Sequence, residues 1–264
     1  KTKIDGFRVD VAWGVPITFW TRCLTDLKTI RPLFFLAEAD DAPLHNAGFD
    51  ATYTWREYNV VKEVAAGKKD VTYLDTIFNT IDTSFMKGAW RLYFTSNHDE
   101  NSWNKADFET MPGIIHAPFA VLALTYNRTM PLIYSGQEEP VLRALQFFEK
   151  DPIQFNKYER APFYTALLQL RNTNKAFGEQ AQFKRVLVNN PKAIMAYQRA
   201  FENDKVVVVL NLSNKDQVVD LELNGQVNNY KELFSGKNFN NIKHLELPAW
   251  GYQVFVKMNE AINR

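Results

Sequence analysis

The sequence has 264 residues, 46% hydrophobic and 14% aromatic, enough apolar side chain for one large core, or a large and a small one, in a soluble globular protein. Lys and Arg total 31 against 30 Asp and Glu, a formal net charge of +1, so charge balance points to neither nucleic acid nor an anionic membrane and leaves a neutral polar ligand in play. The single cysteine, Cys23, excludes an internal disulfide and a cysteine-only zinc site, no apolar run approaches the roughly 18 residues of a spanning helix, and the opening "KTKIDGFRVD" lacks the apolar stretch of a signal peptide.

In chain order, "DGFRVDVA" reads as a strand end and "ITFWTRCLTDLKTI" as a helix with Phe19, Leu24, Leu27 and Ile30 near helical spacing. "PLFFLAEAD" is a buried type of strand entered through Pro32, "GFDATYTW" a weaker strand, and "VTYLDTIFNTI" a helix. "AWRLYFTSNHDEN" reads as strand then loop, "HAPFAVLALTY" as helix, "MPLIYSGQEE" as strand then loop, and "APFYTALLQLRNTN" as helix. This alternation over residues 1–175 predicts an α/β domain with parallel strands and crossover helices. From about residue 176 the pattern turns to "AIMAYQRAF", "KVVVVLNLS", "VVDLEL", "YKELFSGK" and "HLELPAWGYQVFVK", with Asn203-Asp204, Asn224-Gly225 and Ser235-Gly236 as hairpin turns. Residues 176–264 therefore form a separate antiparallel β domain.

Three acids close three of the strand runs: Asp10 the first, Glu38 the second and Asp99 the fourth. In a closed parallel α/β barrel, such strand ends make the face where chemistry sits. Retaining hydrolysis of an acetal needs a carboxylate nucleophile and a protonatable acid about 5–5.5 Å apart, and a third carboxylate favours positive charge building on the sugar ring. Arg8, two residues before Asp10 and on the same strand face, lowers a neighbouring carboxyl pKa and keeps it ionised. Glu38 follows the apolar "PLFFLA", where desolvation raises a pKa as a general acid requires. Taken singly, each acid is more often a helix cap or a loop hydrogen-bonder.

"DGFRVD", "FLAEAD" and "FTSNHDEN" resemble, in order, the second, third and fourth signatures of the α-amylase family, glycoside hydrolase family 13. "MPLIYSGQEE" is similar to that family's eighth barrel strand and "FYTALLQLRNTNKAF" to its last barrel helix, leading into a C-terminal β-sandwich. The resemblance implies a (β/α)₈ barrel of which strands 4–8 are visible. It also implies that Asp10 is the nucleophile, Glu38 the general acid/base and Asp99 the transition-state stabiliser. By the same resemblance Arg8 holds the nucleophile and His98 bonds sugar hydroxyls beside the scissile bond. Trp13, Trp55, Trp103 and Tyr134 lie at or just after strand ends where rings stack on sugars, with Trp103 the strongest of them and Trp13 kept beside it as a substrate-binding residue; Trp20, Trp90 and Trp250 read as core.

The sequence departs from the family after the nucleophile. Trp13-Gly14-Val15-Pro16 stands where many members have Lys-His, so the usual calcium ligand is not identifiable and no metal or other cofactor is carried over. His45, His116 and His244 have no metal-ligand spacing. Glu138 reads as a structural hydrogen-bonder. A full barrel occupies about 250 residues on its own, so the expected chain is a portion lacking strands one to three, with two open sheet edges that another chain or a missing segment would complete. The expected activity is that of a retaining α-glycosidase on α-linked glucans or maltodextrins, resembling bacterial maltodextrin-degrading members, with an oligosaccharide or polysaccharide as partner. The alternatives are a non-catalytic starch-binding relative or an inactive truncated one. The sequence carries no address; a secreted or periplasmic bacterial setting is the leaning.

Overall fold

The computed structural model describes residues 3–223 and 229–258. Its first half alternates short strands and helices: β1 (Gly6–Val9), α1 (Ile17–Ile30), β2 (Phe34–Ala37), α2 (Pro43–Asn46), β3 (Ala51–Tyr53), α3 (Trp55–Ala65), α4 (Val71–Ser84), β4 (Trp90–Tyr93), α5 (His98–Trp103), α6 (Asp107–Thr110), α7 (His116–Thr125), β5 (Thr129–Pro131) and α8 (Ala161–Thr173). The five strands form one parallel sheet in the order β1-β2-β3-β4-β5, so β1 and β5 are its edges among the described residues. Residues 38–50, between β2 and β3, carry the single turn of α2.

Burial explains which helices form. In α7 almost every residue from His116 to Thr125 is buried, as an all-round apolar segment requires. In α1 the buried face is Trp20 and Leu24, with the indole N–H of Trp20 donating to the Ala12 carbonyl at 2.9 Å. Phe19 and Ile30, expected on that face, are exposed, because they flank the narrow stripe centred on Trp20. Helix α3 was not anticipated; its Tyr58, Val61, Val64 and Ala65 are buried at helical spacing. The expected loop at 97–103 is instead α5, begun by Asn97, whose side chain accepts the Glu100 N–H at 2.9 Å. An Asn followed three residues later by Glu is the sequence signature of such a start.

The second half is antiparallel: β6 (Gln182–Arg185), β7 (Leu187–Val188), β8 (Ile194–Phe201), β9 (Asp204–Asn211), β10 (Gln217–Glu222), β11 (Tyr230–Glu232), β12 (Asn238–Phe239), β13 (His244–Leu247) and β14 (Tyr252–Lys257). A six-stranded sheet, β12-β11-β14-β9-β8-β6, faces a three-stranded one, β13-β10-β7. The β8–β9 turn is Glu202-Asn203, one residue earlier than expected, because Phe201 pairs with Asp204 and Glu202 takes the left-handed conformation at φ 52°. Gly236, at φ 68°, lies in the turn before β12 as anticipated. The Asn224-Gly225 turn lies outside the described residues.

Strand β9 joins the two halves. Val206, Val208 and Leu210 belong to the same apolar cluster as Leu122 and Leu124 of α7 and Leu167 of α8, while Val207 and Val209 face Val219 and Leu221 of β10. A strand buried on both faces reads as a continuous apolar run, which is why this segment is "VVVVL". Tyr197 of β8, fully buried, hydrogen-bonds Thr125 at 2.7 Å and packs edge-on to Tyr126. Replacing Tyr197 with Ala is expected to cost about 3–5 kcal/mol and to destabilise both halves together in urea denaturation followed by fluorescence and circular dichroism. Loss of the β domain alone, with the parallel half unaffected, would contradict the shared core.

Candidate active site

Strand register assembles the acids. Val9 of β1 pairs with Ala37 of β2, so the next residues, Asp10 and Glu38, emerge side by side at the carboxyl ends of parallel strands. Ala37 pairs in turn with Thr52 of β3, which places Tyr53 beside Glu38. The Arg8 guanidinium bonds all three: Nη1 to Asp10 Oδ1 at 2.5 Å, Nη2 to Glu38 Oε1 at 2.7 Å, and Nε to the Tyr53 hydroxyl at 3.4 Å. Glu38 also accepts the Val11 N–H at 2.9 Å. Val11 is in the left-handed region, φ 46° and ψ 44°, a conformation that is strained by roughly 1–3 kcal/mol for a non-glycine residue. That turn aims its N–H at the carboxylate.

The two carboxyls are driven apart. Hydrogen bonding to Arg8 is the main cause holding Asp10 below its ordinary pKa, and its side chain is 74% exposed. Burial is the main cause raising Glu38, whose side chain is only 12% exposed, and neighbouring Asp10 raises it further, against the lowering by the Val11 N–H and Arg8. Burial likewise raises the Tyr53 phenol, so it stays neutral and able to hydrogen-bond. Asp99 and His98 occupy the first turn of α5, with His98 Nε2 3.5 Å from Asp99 Oδ2. Glu38, His98 and Asp99 each bring a polar atom within 4.8 Å of the others.

The loop bearing Glu38 is anchored from below. Arg91 of β4, almost fully buried, bonds Asp40 at 2.5 Å, both oxygens of Glu57 at 3.0 Å, and Thr52 at 2.6 Å. Asp40 also pairs with Arg56 at 3.1 Å. The same loop's Ala39 carbonyl accepts the Tyr53 N–H at 3.0 Å. Burial is the main cause raising Glu57.

Of the aromatic candidates, Trp13 (68% exposed) lies in the 3₁₀ turn Ala12–Gly14, and Trp103 (58% exposed) ends α5 against Phe147 and Phe148. Trp55 instead packs between Tyr53 and Phe94 on the main core. Tyr134 is half-buried near Asp99, with burial first and the Asp99 charge second in raising its phenol. Glu138 accepts the Gly136 N–H at 3.0 Å and Gln137 bonds Thr95 and Asp107. A cavity of about 960 Å³ lies at the amino ends of the strands, bordered by Phe34, Trp90 and Met130, away from the acids.

Among the described residues, the one group of three His, Cys, Asp or Glu positioned to share a cation is Glu38, His98 and Asp99. A set with a histidine nitrogen suits the all-oxygen shell of calcium poorly. His45 is buried on Thr52 at 3.1 Å, with burial as the main cause bringing its pKa down to about 4. His116 is buried on Tyr164, and His244 pairs with Asp220 at the surface.

Tyr53, Asp40, Phe147 and Phe148 were not singled out from sequence. Tyr53 carried a signal, standing at the end of the strand run "GFDATYTW"; the phenylalanines lie in a stretch without periodicity.

Residues 183–254 match the family model of the maltogenic amylase C-terminal domain. An α-amylase of Haloarcula japonica is 29% identical over 228 residues, 83% of this chain and 33% of its own length. α-Amylase 2 of Dictyoglomus thermophilum is 24% identical over 90% of this chain and 43% of its own, and a maltogenic α-amylase of Bacillus acidopullulyticus is 26% identical over 95% and 45%. The chain thus spans between a third and under half of the length of these curated relatives. Among solved structures, the maltogenic α-amylase AmyB of Thermotoga neapolitana superposes with a TM-score of 0.78 at 20% identity, over 97% of this chain and 60% of that one. An α-amylase of Lactobacillus plantarum gives 0.79 at 19% identity, over 97% and 63%. These structures share the fold: parallel α/β strands of a barrel followed by an antiparallel β-sandwich.

The Glu38 carboxyl of this chain, followed by carbon NMR through a pH titration, is expected to titrate above the ordinary glutamate range and to fall in the Asp10→Asn variant, which removes the neighbouring negative charge. A Glu38 titration that stays put or rises in Asp10→Asn would contradict the coupling.

Proposed function

We propose, from this chain's membership in the α-amylase family (glycoside hydrolase family 13), whose C-terminal region it matches, that it supplies the reacting carboxyls of a retaining α-glycosidase acting on α-linked glucans. The observation that carries this reading is one guanidinium shared by a depressed, exposed Asp10 and a raised, half-buried Glu38. That sharing supports the short spacing of about 5–5.5 Å that a retaining pair needs.

Asp10, ionised and held by Arg8, is the nucleophile that attacks the anomeric carbon. Glu38 starts protonated and gives its proton to the departing glycosidic oxygen; it then takes a proton from water, which displaces the sugar from Asp10. Asp99 lies across the mouth with its charge toward the positive ring of the transition state. His98, half-exposed beside it, bonds sugar hydroxyls, and Trp13 and Trp103 offer ring faces to sugars on either side.

A second reading is supported by the 74% exposure of the Asp10 side chain: the chain by itself binds α-glucan without turning it over, since an unshielded nucleophile keeps its water. The expected partner that closes the site is a segment of the same protein or another chain paired along β1 or β5.

In the whole protein, Glu38→Gln is expected to lower kcat on maltooligosaccharides by about 10³-fold or more, while α-maltosyl fluoride, whose leaving group needs no proton, still glycosylates the enzyme. Without the base the adduct accumulates, and peptide mass spectrometry is expected to find it on Asp10. A near-normal rate for Glu38→Gln, or an adduct on a different carboxyl, would overturn the assignment.

A further inference from the structure

Beyond the acids, the mouth carries three rings that the roles above leave unused or only half used. Phe147 stacks on His98, with centroids 5.8 Å apart and planes 24° from parallel. Trp103 lies 5.1 Å from Phe147 and 5.6 Å from Phe148, and the two phenylalanines are 5.0 Å apart. Exposure rises outward, from 40% at Phe147 to 58% at Trp103 and 79% at Phe148. Solvent-facing rings at this density are costly unless something covers them.

The segment bearing Phe147 and Phe148 has no regular structure, yet it is firmly mounted. Arg143 grips Asp151 through two bonds of 2.6 Å, and Asp151 also accepts the Gln146 N–H at 2.9 Å. The Arg143 bond is the main cause bringing Asp151 down to about 2. The Leu145 N–H donates to buried Asn101 of α5 at 2.7 Å, which locks the segment to the helix holding His98, Asp99 and Trp103. Glu139 collects the N–H groups of Asn156, Lys157 and Tyr158 at 2.9–3.2 Å. Rings fixed in this way lose little freedom when they meet a ligand.

We propose that Trp103, Phe147 and Phe148 form a stacking platform that takes a glucose ring of an α-glucan beyond the residue bonded by His98 and Asp99, so that this chain selects for longer oligosaccharides. The proposal rests on the α-glucan reading. A pyranose presents an apolar C–H face with hydroxyls around its rim. The platform has the matching form: aromatic faces, with His98 and Asp99 at its inner end. Because Phe147 sits between His98 and the two outer rings, a sugar on the platform is at least one residue removed from the reacting bond. Short sugars therefore do not reach it.

The test is calorimetric titration of the chain with maltose and with maltoheptaose, for wild type, Phe148→Ala, Trp103→Ala and Trp103→Tyr. Both alanine variants are expected to weaken maltoheptaose binding about tenfold, within the range of one lost aromatic contact, and to keep the wild-type melting temperature, and Phe148→Ala is expected to change maltose binding less than about twofold. Trp103→Tyr is expected to retain most of the affinity. Alanine variants that bind maltoheptaose as wild type does, or a Phe148→Ala variant that loses maltose and maltoheptaose equally, overturn the platform and leave the α-glucan reading standing. A wild-type chain that binds neither sugar overturns both. If Phe148→Ala turns a dimer into a monomer in light scattering without altering maltoheptaose affinity, the rings are a subunit contact and the platform is again overturned.

Discussion

The guanidinium of Arg8 is the point on which the site turns. It bonds Asp10 and Glu38 from opposite nitrogens, and by itself would lower both carboxyls. The asymmetry comes from burial: Asp10 keeps most of its hydration, while Glu38 gives it up and gains a negative neighbour. One cation thus serves as orienter for both groups, and the different depth of the two side chains decides which is ionised. Among the described residues Asp10 leaves β1, which pairs with β2 alone, whereas Glu38 leaves β2, flanked on both sides.

The register that brings the acids together is secured by interactions further down. Arg91 is fixed among Asp40, Glu57 and Thr52, and breaking such a buried group would leave charges without partners at a cost of about 3–5 kcal/mol. Its effect at the surface is to hold Asp40, two residues past Glu38, so the loop cannot slide. The β domain contributes from the other side: β9 closes the core over α7 and α8, and these helices flank the strand whose following segment reaches the mouth.

The strand ends and their acids were legible because the chemistry there is written in short runs: an apolar strand, then one or two polar residues. The alternating pattern of the first half and the valine run of β9 were equally readable, since both are direct consequences of burial. What escaped was long-range or local to a cap. Helix α5 hid behind Asn97, whose role depends on its side chain meeting the Glu100 N–H. The turn at Glu202 moved by one residue because pairing of Phe201 with Asp204 outweighed the usual preference of Asn for the left-handed conformation. Trp55 looked like a sugar-stacking residue from its place after a strand, but it is half-buried and packs on Tyr53 and Phe94.

Phe147 and Phe148 show the same limit from the opposite direction. No periodicity marks them, and their position is set by Asn101, forty-four residues before Leu145, and by an ion pair within their own segment. Asn101 stands two residues past Asp99 on α5, so the helix that presents an acid to the reacting bond also fixes how far the aromatic segment lies from it. A displacement of α5 would move His98, Asp99 and Trp103 together and draw Leu145 with them. The mouth therefore consists of two groups, the β1–β2 pair with Asp10 and Glu38 and the α5 unit with its rings, whose relative placement rests on the parallel register running through β3 to β4.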